Sequence, residues 1–400
     1  MDSIIFFDDD HWRSLLPLTY AKPVSELRCG VMTIREKWHS HYNVNYSWLT
    51  MPHLMEKYPF SPGSDNLLIN STYLPTDQLL SLIDKLNANQ ALLYGEELIG
   101  ARLDAEQIKK IYEIGDFRSI SLLNLQHSEV ALSTIRRPYD IFRLNGDEIK
   151  NDLKRIKLGN GNIDCNSRHI GDFPVIIQEG AETSCSIFNT SKGPIFLAAG
   201  SEVMEGSMIR GPFALGEYST VKMGTKIYED CSIGPQCKVG GELQNVVFQG
   251  YSNKGHDGYL GNSVIGEWCN IGADSNNSNL KNNYEEVKLW DYSKDRFVPT
   301  GLQFCGLIMG DHSKCGINTM FNTGTVVGFS SNIFGSGFPR NFIPSFAWGG
   351  ASGFTTYQPD KAKATADRVM KRRNMTLDDI DNKLFDAIFE MSKLYRNWDR

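Results

Sequence analysis

The chain has 400 residues, 41% hydrophobic and 22% charged, with 41 Lys and Arg against 47 Asp and Glu for a formal charge of -6. That length allows two or three domains with separate cores, and the acidic balance without a long basic run excludes nucleic acid as an expected partner. Met1-Asp2-Ser3 supplies no basic segment ahead of the short apolar run Ile4 to Phe7, and no stretch approaches membrane-spanning length, so a cytoplasmic protein without membrane insertion is expected.

Glycine divides the chain into three. Of the 36 glycines, 6 lie in residues 1–150, 29 in 151–350 and 1 in 351–400. The expected organisation is an α/β domain over 1–155, a glycine-rich domain over 156–350 and a helical segment over 351–400. In the first, apolar runs at Ile4 to Phe7, Asn66 to Ile69 and Ala91 to Tyr94 alternate with helical patterns such as Thr76 to Leu86, which predicts a parallel sheet.

In the second, Leu197, Val203, Ile209, Leu215, Val221, Ile227, Ile233 and Val239 recur at every sixth position. A period of six is neither helical nor that of an ordinary strand, and it predicts a parallel β-helix in which three hexads complete a triangular turn and the aliphatic side chains point inward. Successive turns then stack at about 4.8 Å. Two positions before most of these residues stands a small one, Ser201, Ser207, Ser219, Thr225, Cys231 or Cys237, with Ile195 and Phe213 as the exceptions; the small residues are expected to let the chain bend at the corners. The register breaks after Val239, returns at Tyr259, Ile265 and Ile271, and returns more loosely around Ile317, Val327 and Ile333. The breaks are expected where loops leave the coil. The eight cysteines have no CxxC spacing and several occupy small-residue positions, which fits reduced packing thiols.

The last segment reads as helical. Thr376 and Asp379 form a start resembling a capping box, and Ile380, Leu384, Ile388, Met391 and Leu394 follow as a stripe. It is expected to pack on the coil's open end or on a neighbouring subunit.

The densest polar stretch interrupts the coil: Tyr251-Ser-Asn-Lys254-Gly-His256-Asp-Gly-Tyr259-Leu-Gly-Asn262, then Asn270-Ile-Gly272-Ala273, then Ser278-Asn279-Leu-Lys281. A β-helix has no internal cavity, so a small-molecule site must lie on its outside. Histidine accepts a proton near neutral pH, and the glycines flanking His256 permit close approach to the backbone. Lys254, Lys281, Tyr259, Asn270 and Asn279 offer contacts to a phosphate and to sugar hydroxyls. A metal on His256 and His312 is disfavoured, since no HxxxH spacing accompanies them.

Asn253-Lys-Gly-His256-Asp-Gly-Tyr259-Leu-Gly with Asn270-Ile-Gly-Ala resembles the acetyltransferase half of bifunctional GlmU enzymes. Leu15-Leu-Pro-Leu-Thr-Tyr-Ala-Lys22-Pro, Glu26-Leu-Arg, Gly310-Asp-His-Ser-Lys, Asn322-Thr-Gly-Thr and Pro344-Ser-Phe-Ala-Trp-Gly-Gly are similar to the short GlmU-like sugar nucleotidyltransferases. The resemblance implies a nucleotidyltransferase-like α/β domain, a left-handed parallel β-helix of hexapeptide repeats and a C-terminal helical segment. It also implies acetyl transfer from acetyl-CoA to an amino sugar phosphate such as glucosamine-1-phosphate.

Carried over by position, His256 is the general base, Tyr259 and Asn270 contact the sugar phosphate, and Asn279 contacts the amino sugar. Lys222 stands where the resemblance places an arginine on the phosphate, a replacement that keeps charge and loses the bidentate fork. Lys238 is a further basic contact, and Gly272, Ala273 and Gly335 line the pantetheine slot. A homotrimer is implied, because cofactor and substrate lie between neighbouring helices in similar enzymes.

For the first domain the resemblance implies sugar-1-phosphate uridylyl transfer with UTP and Mg²⁺, yielding UDP-N-acetylglucosamine. Arg13 and Lys22 are then the nucleotide-binding residues and Asn145 a metal ligand. The loop Asp8-Asp-Asp-His-Trp-Arg13 lacks the expected glycines, and Asn70-Ser71-Thr72 replaces the expected metal-binding aspartate. A catalytically silent domain that binds a nucleotide sugar or only packs therefore stays open as the alternative to an active one. Two further alternatives stay open for the whole chain: a sugar-phosphate nucleotidyltransferase using the β-helix to oligomerise, and a non-catalytic scaffold that senses a nucleotide sugar.

Overall fold

The hexads coil into a parallel β-solenoid with three faces. In the computed structural model, residues 1–114, 124–128, 132–156, 159 and 161–399 are described. On the first face nine two- to four-residue strands stack in parallel, from Glu182–Thr183 through Thr220–Val221, Lys238–Val239, Asn253–Lys254 and Asn270–Ile271 to Ala347–Gly350. The other two faces join through the long strands Glu242–Gly250 and Tyr259–Glu267, which run round a corner without a break.

All eight residues of the expected register are buried in one core cluster. Removing a Val, Leu or Ile side chain from water contributes about 1.5–3 kcal/mol, so the ladder supplies much of the solenoid's stability. The small residues do more than permit a bend. Ser219 Oγ donates to Gly234 O at 2.7 Å and accepts from Cys237 N at 2.9 Å, and Ser252 Oγ donates to Gly266 O at 2.7 Å and accepts from Cys269 N at 2.8 Å. Each hydroxyl thus joins two turns inside a corner where water cannot reach the backbone.

Beyond Val239 the register differs from the expectation. Thr220 pairs with Lys238, 18 residues on, but Lys238 pairs with Asn253, only 15 on. The first break is a shortened turn, and the chain stays on the coil. As a consequence Leu260 enters the core while Tyr259 faces outward. In the later turns Ile317 is 69% exposed, and Met309, Cys315, Phe321, Val327 and Ile333 carry the six-residue spacing in the core. The second break does release a loop: Asn270 pairs with Lys314, 44 residues on, and the extra length includes the antiparallel hairpin Lys288–Asp291 with Arg296–Pro299.

Two helices follow the coil, Pro359–Lys371 and Asp379–Met391. The second is capped by Asp378, whose side chain accepts from Asp381 N at 2.8 Å, and not by Thr376. It packs on the coil through Phe385, whose ring centroid lies 4.8 Å from that of Phe329 and 5.0 Å from that of His312. Leu384 and Ile388 are buried, whereas Leu394 is exposed and lies outside the stripe.

The chain divides into two compact units, 1–12 with 22–27 and 32–136, and 13–21 with 28–31 and 137–400. Helix Pro138–Leu153, assigned to the first domain by the 1–155 boundary, belongs to the second unit: Ile149 and Leu153 pack with Ile176, Phe196, Ala198 and Ala214. The first unit holds a six-stranded sheet in the order Asn45–Leu49, Ser3–Phe7, Asp65–Asn70, Glu97–Asp104, Gln90–Tyr94, Asn124–His127. It is mixed, not parallel. Glu97–Asp104 runs antiparallel to both neighbours, and the turn Gly95-Glu96 that joins it to Gln90–Tyr94 is too short for a crossover. Among the described residues no helix is long and apolar enough to cross a membrane.

Candidate active site on the solenoid corner

The residues that follow each first-face strand stack into one corner. Lys222 N donates to Val239 O at 2.8 Å, Gly240 N to Lys254 O at 2.6 Å, Gly272 N to Cys315 O at 3.1 Å and Gly316 N to Ile333 O at 2.8 Å. Across the same corner Asp274 N donates to Asp257 O at 3.0 Å and Asn318 N to Ala273 O at 2.8 Å. Successive turns therefore present Lys222, Gly240, Gly255 with His256, Gly272 with Ala273, Gly316 with Ile317, and Phe334 with Gly335.

Backbone approaches backbone closely here. A Cβ on Gly240 would lie 2.9 Å from Gly255 C, and one on Gly272 would lie 2.5 Å from Gly316 C, so side chains are excluded and the corner is a backbone-lined track. Sequence reasoning named His256, Gly272, Ala273, Gly335 and Lys222, and the fold places all five on this track. The His256 side chain is exposed and forms no hydrogen bond among the described residues.

Beside the corner lies a polar cluster. The Tyr259 hydroxyl donates to Gln244 Oε1 at 3.0 Å and accepts from Asn279 Nδ2 at 3.0 Å, and Asn279 Nδ2 also donates to Asn262 Oδ1 at 2.7 Å. Burial raises the Tyr259 pKa, which keeps the phenol a donor at neutral pH. Gln244 and Asn262 were not anticipated, because the shortened turn moves them out of any six-residue count. Lys226 was also missed: it shares an outward row with Tyr259 through Glu242. The signal was available, since Lys226 immediately precedes the register residue Ile227.

Other expected contacts distribute differently. Lys238 and Asn270 are exposed on the outer side of the first face, in one row with Asn253. Lys281 is half-buried and borders an open hollow of about 510 Å³ lined also by Ser278, Asn282, Asn283 and Asn322; its amine donates to Glu286 O at 3.0 Å. Lys254 faces inward. It is 1% exposed, its ammonium donates to Gly240 O at 3.0 Å and His256 O at 2.9 Å, and burial lowers its pKa to about 8. The expected phosphate contact from Lys254 is corrected accordingly: its charge lies inside the coil.

The nucleotide and metal residues also need correction. Asn145 is fully buried, with Oδ1 accepting from Gly30 N at 2.7 Å and Nδ2 donating to Asp230 O at 2.8 Å. An amide fully buried and held at both ends by backbone groups presents no oxygen to a solvent-accessible Mg²⁺ site, so it does not fit the implied ion and no step is derived through the metal. Arg13 falls in the second unit, where Nε donates to Tyr292 O at 2.9 Å and Nη2 lies 3.4 Å from Asp295 Oδ2. Lys22 is buried within the first unit.

In that unit Asp9, His11 and Glu97 place ligand-type atoms within 4.8 Å of one another. Built-in partners account for much of their charge: His11 Nδ1 lies 3.0 Å from Asp9 Oδ2, Asn70 donates to Asp9 at 2.8 Å, and Arg136 pairs with Glu97. The bond to Asp9 raises the His11 pKa.

Residues 4–160 match the family model for sugar nucleotidyl transferases. A protein called bifunctional protein GlmU from Methanococcus vannielii is 29% identical over 199 residues, covering 50% of this chain and 42% of its own length. One of the same name from Methanocaldococcus jannaschii is 26% identical over 331 residues, 81% of this chain and 67% of that one. The chain thus spans less than half of the first of these relatives. Among solved structures, the polysialic acid-specific acetyltransferase NeuO covers 52% of this chain and 94% of its own at 14% identity, with a TM-score of 0.29, too low to carry an argument. Residues 4–160 thus match the sugar nucleotidyl transferase model, and the chain, with a hexad solenoid following that match, is similar to proteins named bifunctional GlmU.

Proposed function

We propose that the solenoid transfers acetyl from acetyl-CoA to the amine of an amino sugar phosphate, glucosamine-1-phosphate foremost, with His256 as general base. The observation that carries this reading is the exposed His256 on a glycine-lined corner, in line with Gly272, Ala273 and Gly335 and beside the Tyr259–Asn279 pair. The track admits a narrow, extended chain such as pantetheine, and the polar cluster offers donors and acceptors to a sugar.

The amine nitrogen attacks the thioester carbonyl carbon and its proton passes to the His256 imidazole. The tetrahedral intermediate then collapses with cleavage of the C–S bond, and the imidazolium proton passes to the departing sulfur. General-base assistance of this kind contributes about 10²–10⁴ in rate. Backbone N–H groups of the corner are the available donors to the oxyanion.

The site stands on a convex edge, and exposed Ile317, Phe334 and Phe338 follow on the turns above it. A second copy closing over this edge would cover them and complete a groove, which supports a homotrimer. The test is acetyl transfer from acetyl-CoA to glucosamine-1-phosphate by wild type and His256→Ala. Loss in the variant with the assembly intact supports the reading, and an inactive wild type on every amino sugar phosphate tried overturns it.

A second reading, uridylyl transfer by the first unit, is favoured by the family match over 4–160. Pyrophosphate release from UTP and N-acetylglucosamine-1-phosphate with Mg²⁺ tests it; silence with all nucleoside triphosphates leaves the first unit a non-catalytic domain.

A further inference from the structure

Lys254 occupies a position that the three turns on either side of it give to apolar side chains. On the inner side of the first face it follows Val203, Val221 and Val239 and precedes Ile271, Cys315 and Ile333, all of them core residues. An ammonium so enclosed is unfavourable unless its donors are satisfied. Two are met by backbone carbonyls of the active corner, Gly240 O at 3.0 Å and His256 O at 2.9 Å.

The local chain is shaped around this amine. A Cβ on Gly241, whose φ is +78°, would lie 2.9 Å from Nζ, and a Cβ on Gly240 would meet the backbone of Gly255 and His256. The turn is also the shortened one, 15 residues between Lys238 and Asn253. Neither the Gly240 nor the His256 carbonyl has another hydrogen bond among the described residues.

We infer that Lys254 is a positioning residue for His256. From inside the coil it ties the carbonyl of the base to that of the turn below, fixing the peptide plane that follows His256 and so the direction in which the imidazole leaves the corner. Lys254 touches no substrate. The inference rests on His256 being the base, although the tie itself is a feature of the fold.

Lys254→Met fills the same inward space without a donor. Acetyl transfer by this variant is expected to fall at least tenfold in kcat, with KM for acetyl-CoA and for glucosamine-1-phosphate within twofold of wild type and an unchanged far-ultraviolet dichroism spectrum. Independently of activity, the His256 ring resonances, assigned by their loss in His256→Ala, are expected to shift and broaden in Lys254→Met. Should Lys254→Met fail to fold, Lys254→Gln, which retains one donor, is read in the same two ways. A variant with unchanged kcat and unchanged His256 resonances overturns the inference, as does a tenfold rise in KM for the sugar phosphate, which would make Lys254 a substrate contact. If His256→Ala itself retains full activity while the His256 resonances of the otherwise wild-type protein respond to Lys254→Met, the base assignment has failed and the tie stands.

Discussion

Strand Ser3–Phe7 in the first unit is buried at all five positions, whereas each short first-face strand of the solenoid buries its inward residue and leaves the preceding one at least partly exposed, as in Thr220–Val221. A strand covered on both sides carries no directional pattern, so its neighbours and their polarity follow from turns and packing. A solenoid strand has one wet side, and every sixth residue must return to the core, so the pattern acts as an address. The two units also hold buried charge in opposite ways. Asp8 in the first is raised to about 6 by burial, with Thr50 and Val24 donating to it, while Lys254 and Lys314 in the second are lowered to about 8 by burial.

Breaking the site has the largest expected effect: His256→Ala should reduce acetyl transfer by about 10²–10⁴-fold with both units folded, measured by thiol release from acetyl-CoA. Next comes the ladder. Leu215→Ala should destabilise the solenoid by about 2–5 kcal/mol, whereas Ile317→Ala should change it by less than about 0.5 kcal/mol. Comparable losses in denaturant unfolding would mean that Ile317 does carry the register. Asn145→Ala should cost about 2–4 kcal/mol, because it leaves the buried Gly30 N–H and Asp230 carbonyl unpaired. A calorimetric Mg²⁺ titration unchanged by that substitution would confirm its structural role.

The smallest effects separate the units by pH. Between about pH 4 and 6 folded Asp8 keeps a proton that the unfolded chain has released, so acidification from pH 7 to 5 should stabilise the first unit by about 1 kcal/mol. Asp8→Asn should flatten that response. Between pH 8 and 10 the unfolded chain keeps protons that folded Lys254 and Lys314 have lost, so the solenoid should gain stability as pH rises. Hydrogen exchange resolved by segment reads the two trends separately, and parallel trends would sink the comparison.

The site was legible where its residues are local. His256, Tyr259 and Asn279 lie within two turns of one another, and the corner brings Gly272, Ala273 and Gly335 into line by the same repeat. Lys254 was misread because the direction of a side chain depends on the count along each turn, and the 15-residue turn changes that count without a loop to announce it. Arg13 and Asn145 were misread because their partners, Tyr292 and Gly30, are distant in the chain.

By itself the sequence determined the coil, its handhold of aliphatic residues up to Val239, and the identity of the polar stretch, since each depends on spacing alone. Tertiary structure decided which way Tyr259 and Lys254 face, the polarity of Glu97–Asp104 and the allegiance of helix Pro138–Leu153. Those outcomes depend on which backbone groups and apolar surfaces meet across long stretches of chain, and a local pattern contains no record of that meeting.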